Sequence, residues 1–263
     1  MKIVTCIKQV PASSNVQVDP VTGVLIRDSN NAKLNPYDLY ALEAAFLIKE
    51  KVSKASLTAI TMGPPNAKSV LKEALYMGAD EAVLVTDRRF AGADVLATSY
   101  TLSQLIKLIG DADIIVCGKQ TTDGDTAQVG PEIAEFLNVP HIPYVSEIIE
   151  ILDDKIVVKS TYDSHDEINE IKFPCLLTVE KSNLSPRLPS YKRKMKLRDY
   201  QIKTVTLDDL NDKKPEHYGL NGSPTQVEEI FPPSNERKSK FIEGDKETLA
   251  QEMFKILDEN KFL

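Results

Sequence analysis

The 263-residue chain is 42% hydrophobic and sets 32 basic against 39 acidic side chains, a formal net charge of −7. That size buries one large α/β core with room for an appendage, and the acidic balance lacks the basic excess of a nucleic-acid-binding surface, so no nucleic acid is expected. No apolar run reaches the roughly 18 residues of a membrane span, and the opening Met-Lys-Ile-Val-Thr-Cys is too short for a signal core, so a cytoplasmic protein is expected.

Residues 2–7, 57–61, 82–86 and 114–117 are short, nearly continuous apolar runs, as in strands buried on both faces of a parallel sheet. Helical patterns lie between them. Asn35-Pro36 reads as a helix start, an N-cap side chain followed by proline at the first helical position. Leu39, Leu42 and Phe46 follow at spacings of three and four, and Lys49, Glu50 and Lys51 leave the last turn in water. A second helix is predicted over about 65–77, closed by Gly78, a third over about 94–109 and a fourth over about 128–137. This alternation predicts right-handed βαβ units and a doubly wound parallel sheet, flavodoxin-like in its layering and of the adenine-nucleotide-binding kind. Ligands of such sheets sit beyond the carboxyl ends of the strands.

After Pro143 the pattern changes. Residues 146–152 and 155–161 flank Asp153-Asp154 and predict a β-hairpin, and 171–180 reads as a further strand. From about Asp199 apolar density falls, and glycine, proline and asparagine cluster near 219–225 and 231–235 before a short amphipathic helix near 246–257. The expected division is an α/β domain with its hairpin at 1–198 and an extended arm at 199–263 that needs another surface to lie on. Cys6, Cys117 and Cys175 are odd in number and embedded in apolar runs, so they read as reduced, buried thiols. His141, His165 and His217 share no ligand spacing, and no metal is expected.

Five loops meet at one sheet edge if this reading holds: 6–11, 35–38, 61–65, 90–94 and 118–131. The last is the most telling. Pro131 is tolerated only near a helix's first turn, so the amides of residues 126–130 should lack intrahelical partners and, with the helix dipole, form a phosphate or diphosphate cradle. Gly124 and Gly130 would let the anion approach, and Thr126 and Gln128 would add side-chain bonds. Asp123 and Asp125 repel phosphate and are assigned to loop capping or a ribose hydroxyl. Each loop is also compatible with a plainer role: Gly63-Pro64-Pro65 as a tight turn, Asn35-Pro36 as a cap, and 118–131 as a simple strand-to-helix connection. Neither the Rossmann glycine fingerprint nor a Walker lysine is present.

These loops resemble the electron-transferring flavoprotein beta family. Lys8-Gln9-Val10-Pro11, Asn35-Pro36-Tyr37-Asp38 followed by Ala41, Glu43 and Ala44, Gly118-Lys119-Gln120 leading to Asp123-Gly124-Asp125-Thr126-Ala127-Gln128, and the Phe173-Pro174-Cys175 run are similar to its motifs, in order. The resemblance implies a heterodimer with an alpha subunit. One branch of the family carries AMP in the beta subunit and the electron-bifurcating branch carries FAD there. Met62-Gly63-Pro64-Pro65, Phe90-Ala91-Gly92-Ala93-Asp94 and 123–131 look like the second branch.

On that likeness Cys6, Asn35, Asp38 and Met62 surround the adenosine half, chiefly through main-chain atoms, and Pro36, Tyr37, Gly63, Gly118, Gln120 and Thr122 belong to the same cofactor-binding set. Asp123, Gly124, Asp125, Thr126, Ala127, Gln128, Val129 and Gly130 hold the diphosphate, and Asp94 and Thr98 contact the rest of the flavin chain. The same likeness implies NADH as electron donor. Ferredoxin or flavodoxin is one acceptor, and a flavin-dependent dehydrogenase of the acyl-CoA or 2-hydroxy acid type is the other, reached through the alpha-subunit FAD. It requires no catalytic side chain, because the flavin carries the redox chemistry. Residues 185–194 resemble a partner-docking loop with Leu188 as its docking leucine; a basic loop packed on its own subunit is the competing reading. A beta subunit binding AMP and a homodimeric nucleotide-binding regulatory module are the alternative functions.

Overall fold

The computed structural model describes residues 1–12, 32–110, 112–181, 185–228, 239 and 241–262; the 231–235 stretch read as part of the arm lies outside them. Two units are distinguished, Met1–Glu228 and Glu229–Leu263. In the first, strands β1 (Lys2–Cys6), β4 (Ser56–Met62), β5 (Glu81–Val85), β6 (Ile114–Gly118), β7 (His141–Ile151), β8 (Lys155–Thr161), β9 (Asp166–Lys172), β10 (Cys175–Val179) and β11 (Lys203–Val205) form one sheet. β2 (Gln9–Pro11) and β3 (Ala32–Leu34) form a separate antiparallel ribbon. The order is β11-β5-β4-β1-β6-β10-β7-β8-β9, parallel from β11 to β7 and antiparallel over the last three strands.

Helices α1 (Pro36–Lys51) and α2 (Lys68–Met77) pack on one face, burying Leu42, Phe46, Leu71 and Leu75 with Ile3 and Leu57. Helices α3 (Val95–Ile109) and α4 (Val129–Leu137) cover the other, burying Leu102, Leu105 and Ile133 with Val4, Ile60 and Ile115. Residues alternate between these two cores along β1, as a strand with both faces covered requires. α2 ends at Gly78, whose φ of +152° and the ring of Phe46, 3.0 Å from where a Cβ would sit, both exclude a side chain. The doubly wound sheet is therefore as the alternation predicts.

Three elements differ from expectation. The run 171–180 is split at Phe173-Pro174: β9 closes the outer edge of the hairpin, while β10 inserts between β6 and β7. Proline has no N–H for the ladder, so the break falls there. Asn35 precedes α1 but makes no side-chain cap; its carbonyl accepts from Asp38 N at 3.0 Å. Finally, the first unit runs on to Glu228 rather than stopping at 198. β11 pairs with β5, and Val205, Leu207, Leu210 and the fully buried Tyr218 fill the α3 side of the core, so this stretch contributes core despite its loop-like composition.

In the second unit, α5 (Lys246–Glu259) starts at an Asp245 cap, whose Oδ1 accepts from Thr248 N at 2.9 Å, and exposes Leu249, Met253 and Phe254. No helix among the described residues is long and apolar enough to cross a membrane.

Candidate functional site

After β1 the chain builds outward through β4 and β5, then crosses back to lay β6 on the other side of β1. The order reverses between β1 and β6, and there the loops beyond the strand ends diverge to leave a crevice. Residues 7–8 leave β1 and 119–128 leave β6, and the start of α1 stands beside both.

Asn35, fully buried, ties these loops together. Its Nδ2 donates to Gln120 O at 2.9 Å, its Oδ1 accepts from Thr122 N at 3.3 Å, and its own N–H donates to Lys8 O at 2.9 Å. Asp38, 4% exposed, accepts from Lys8 N at 2.7 Å. Burial pushes its carboxyl up to about 7 even though hydrogen bonds from Asn35 and Lys8 and the Lys8 charge pull the other way. Gly118 ends β6 directly against it: a Cβ there would lie 2.3 Å from Asp38 Oδ1 and 2.9 Å from the Tyr37 carbonyl carbon. Gly118→Ala is therefore expected to push α1 off the sheet edge and cost about 1–3 kcal/mol, read as a lowered urea midpoint.

The loop after β6 is held from within. Asp125 N donates to Thr121 O at 3.0 Å, Gly124 N to Thr121 Oγ1 at 3.3 Å, and Gln120 Nε2 to the Asp125 carboxylate. Lys8 Nζ lies 2.7 Å from Asp123 Oδ1; burial opposes ionisation of Asp123, but Lys8 outweighs it and holds the carboxyl below its ordinary value. Asp125 and Ala127 take φ of +53° and +56°, a conformation non-glycine residues rarely adopt. With Gln128 at φ −107° and ψ −26°, positive φ at Ala127 turns successive N–H groups to one side, the geometry of an anion-binding nest. The N–H groups of residues 126–130 have no acceptor among the described residues, and the next helical bond runs from Glu132 N to Gln128 O. Five main-chain donors without a protein acceptor thus stand in succession where the loop enters the positive end of α4.

Gly130 and Gly63 face protein atoms, Gly63 in the tight-turn role that the sequence also allows. A Cβ on Gly130 would meet Thr178 Cγ2 at 2.5 Å, so its absence lets α4 sit on β10; a Cβ on Gly63 would meet Ala67 Cβ at 3.0 Å, so that residue serves the turn into α2. A Cβ on Gly124 would make only an ordinary contact, 3.4 Å from Thr121 Oγ1. Met62 ends β4, half-buried, and Pro36 and Tyr37 open α1 beside Gly118.

Cys6 sits in register with Cys117, and both thiols are free and face the α3–α4 core, so Cys6 presents main chain to the crevice. Its hydrogen bond and burial push the Cys117 thiol up, and burial takes Cys175 to about 12, which leaves both poor nucleophiles.

Asp94 and Thr98 lie at the start of α3. Asp94 Oδ1 caps the helix through Ala97 N at 3.1 Å, and Oδ2 accepts from Thr225 N at 3.0 Å and Thr225 Oγ1 at 2.7 Å. Its carboxylate is engaged within the protein, clamping residues 223–225 to α3. Thr98 N donates to Asp94 O.

Leu188 belongs elsewhere. It is 86% exposed on a segment pinned to α1 by Arg187, whose guanidinium meets buried Glu43 at 2.8 Å and Glu50 at 2.7 Å, and to the last turn of α2 by Ser190 N on Tyr76 O. Burial works against ionisation of Glu43, but Arg187 holds its carboxyl below the usual range. The last turn of a crossover helix lies at the amino edge of the sheet, away from the crevice. The assignment of residues by motif passed over Lys8 and the Asn35 clip; the signal for the first was a cation immediately after a strand ending at the crevice.

Fold and site together define a doubly wound α/β protein with a turn of unpaired main-chain amides at its switch point. The electron transfer flavoprotein domain family matches residues 22–210. The chain is 45% identical over 98% of its length and 98% of the relative to an electron transfer flavoprotein subunit beta of Thermoanaerobacterium thermosaccharolyticum. It is 43% identical to the caffeyl-CoA reductase-Etf complex subunit CarD of Acetobacterium woodii (93% and 92% covered). It is also 39% identical to Protein FixA of Azotobacter vinelandii (95% and 92% covered). The chain belongs to the electron transfer flavoprotein family, as a beta subunit.

Proposed function

We propose that this beta subunit binds FAD in the crevice and works in an electron-bifurcating heterodimer that oxidises NADH. Ferredoxin or flavodoxin takes one electron, and the alpha-subunit FAD passes the other to a dehydrogenase of the acyl-CoA or 2-hydroxy acid type. The observation that carries the nucleotide reading is the row of unpaired amides at 126–130. Those amides would hold the diphosphate, the main chain at Cys6, Met62 and 35–38 would flank the adenosine, and Asn35 and Asp38 would keep the two loops in register. FAD supplies the conversion of a two-electron hydride into single electrons; the chain supplies position, exclusion of water and charge. Leu188, exposed on a braced loop, is the proposed contact with the dehydrogenase, and the part of the arm beyond residue 228 is proposed to lie on the alpha subunit, with the complex in the cytoplasm.

A second reading, AMP in place of FAD, is favoured by Asp94: with both carboxylate oxygens taken by Ala97 and Thr225, it has little left for a longer cofactor. Nucleotide extracted from the purified complex and weighed separates the two. About two FAD per alpha-beta pair is the expected result; one FAD with one AMP selects the second reading, and no nucleotide in this subunit overturns both.

A further inference from the structure

Lys8 leaves β1 at the switch point with its main chain clamped on both sides, its N–H on Asp38 and its carbonyl under Asn35 N. Only the side chain is free to move, and it is half-exposed, with its ammonium on Asp123 Oδ1. That ion pair joins the loop from β1 to the loop from β6 across the crevice, just before the unpaired amides begin. The other lysine of these loops, Lys119, is committed to Glu180 at 2.5 Å and lies 4.9 Å from the centre of the Tyr144 ring. Asp123 and Asp125 both stand in the loop that leads to the turn. A diphosphate arriving there meets like charge, and neutral amides do not cancel it. Among the described residues of these loops, Lys8 is the lysine whose ammonium is held on the stretch that leads into the turn, and an exposed ion pair of this kind is weak enough to be given up.

We propose that Lys8 is a phosphate-binding residue with two alternative partners: its ammonium passes from Asp123 to the nucleotide's phosphates as the turn at 126–130 is filled. This rests on reading that turn as the phosphate cradle, and it adds a cation to that cradle. Asp123 is then a holding partner that keeps the ammonium at the crevice mouth.

The test is the affinity of the full chain, purified with its accompanying subunit and stripped of nucleotide, for ADP and for adenosine. Wild type is compared with Lys8→Gln, Asp123→Asn and the double variant. Lys8→Gln is expected to weaken ADP about ten- to hundredfold, as loss of a hydrogen bond to a charged group does, and to leave adenosine within about twofold. Asp123→Asn is expected to bind ADP as tightly as wild type or more so, and the double variant to match Lys8→Gln. If Asp123→Asn loses as much as Lys8→Gln and the double variant loses no more, Lys8 only braces Asp123 and the proposal falls. It also falls if adenosine weakens along with ADP, or if Lys8→Gln binds ADP normally. Wild type that takes up neither ligand overturns the cradle itself, an outcome distinct from a cradle that works without Lys8.

Discussion

Asn35→Ala is expected to lower the free energy of unfolding by about 2–3 kcal/mol and to abolish retention of nucleotide through purification. The fully buried amide donates to Gln120 O and accepts from Thr122 N, besides its bond to the Asp38 carboxyl, each bond worth about 1 kcal/mol and more where the abandoned partner stays dry. Gln120 is half-buried and Thr122 exposed, so water recovers part of the loss. Water cannot recover the geometry: with the clip gone, the loop from β6 is tied to the rest of the crevice mainly by the Lys8–Asp123 pair. Asn35→Asp is expected to be worse, because it keeps an acceptor for Thr122 N, loses the donor to Gln120 O and adds a buried charge beside Asp38. Urea melts of both variants and nucleotide weighed after gel filtration check this. A wild-type midpoint for Asn35→Ala, with nucleotide still bound, refutes the clip.

The same residue shows where reading stops at the sequence. Asn35-Pro36 reads as cap and first turn, and the helix does begin at Pro36, since local chemistry sets that boundary. What the amide bonds to is decided by a loop more than eighty positions later, and no spacing reports it. The glycines repeat the lesson. That residues 63, 118 and 130 lack side chains is visible at once, yet whether the space faces ligand or protein depends on Ala67, Asp38 and Thr178, which only the folded sheet brings opposite them.

Strands buried on both faces were legible because continuous apolar runs have few other uses. β11 was not: three residues with one buried side chain carry almost no pattern, and the core role of Tyr218 comes from α3, against which it packs. The turn at 126–130 was legible because proline, the third residue of α4, is tolerated in a helix's first turn, whose N–H groups have no partner within the helix.

Asp38 sets the pH behaviour. Its folded-state carboxyl titrates at about 7 against an ordinary 3.8, so between those values the folded chain holds a proton that the unfolded chain has released. Its contribution to stability therefore falls as pH rises through that window and levels off above about 7, by up to roughly 4 kcal/mol if relaxation does not relieve the burial. Carboxylates held low, such as Asp212 at about 2, shift stability the opposite way, but only below their unfolded value, whereas Glu73, whose carboxyl burial also pushes up, works in the same direction as Asp38. The wild-type urea midpoint is expected to drop from pH 5 to pH 7.5. Asp38→Asn, which keeps an oxygen for Lys8 N, is expected to flatten that slope and to be the more stable of the two at pH 8; parallel slopes would show that another group titrates. Nucleotide binding should follow the same course. An ionised Asp38 puts a negative charge at the crevice floor, and phosphates bound above favour its neutral form, so ADP is expected to bind more weakly above pH 7 in wild type and with little pH dependence in Asp38→Asn.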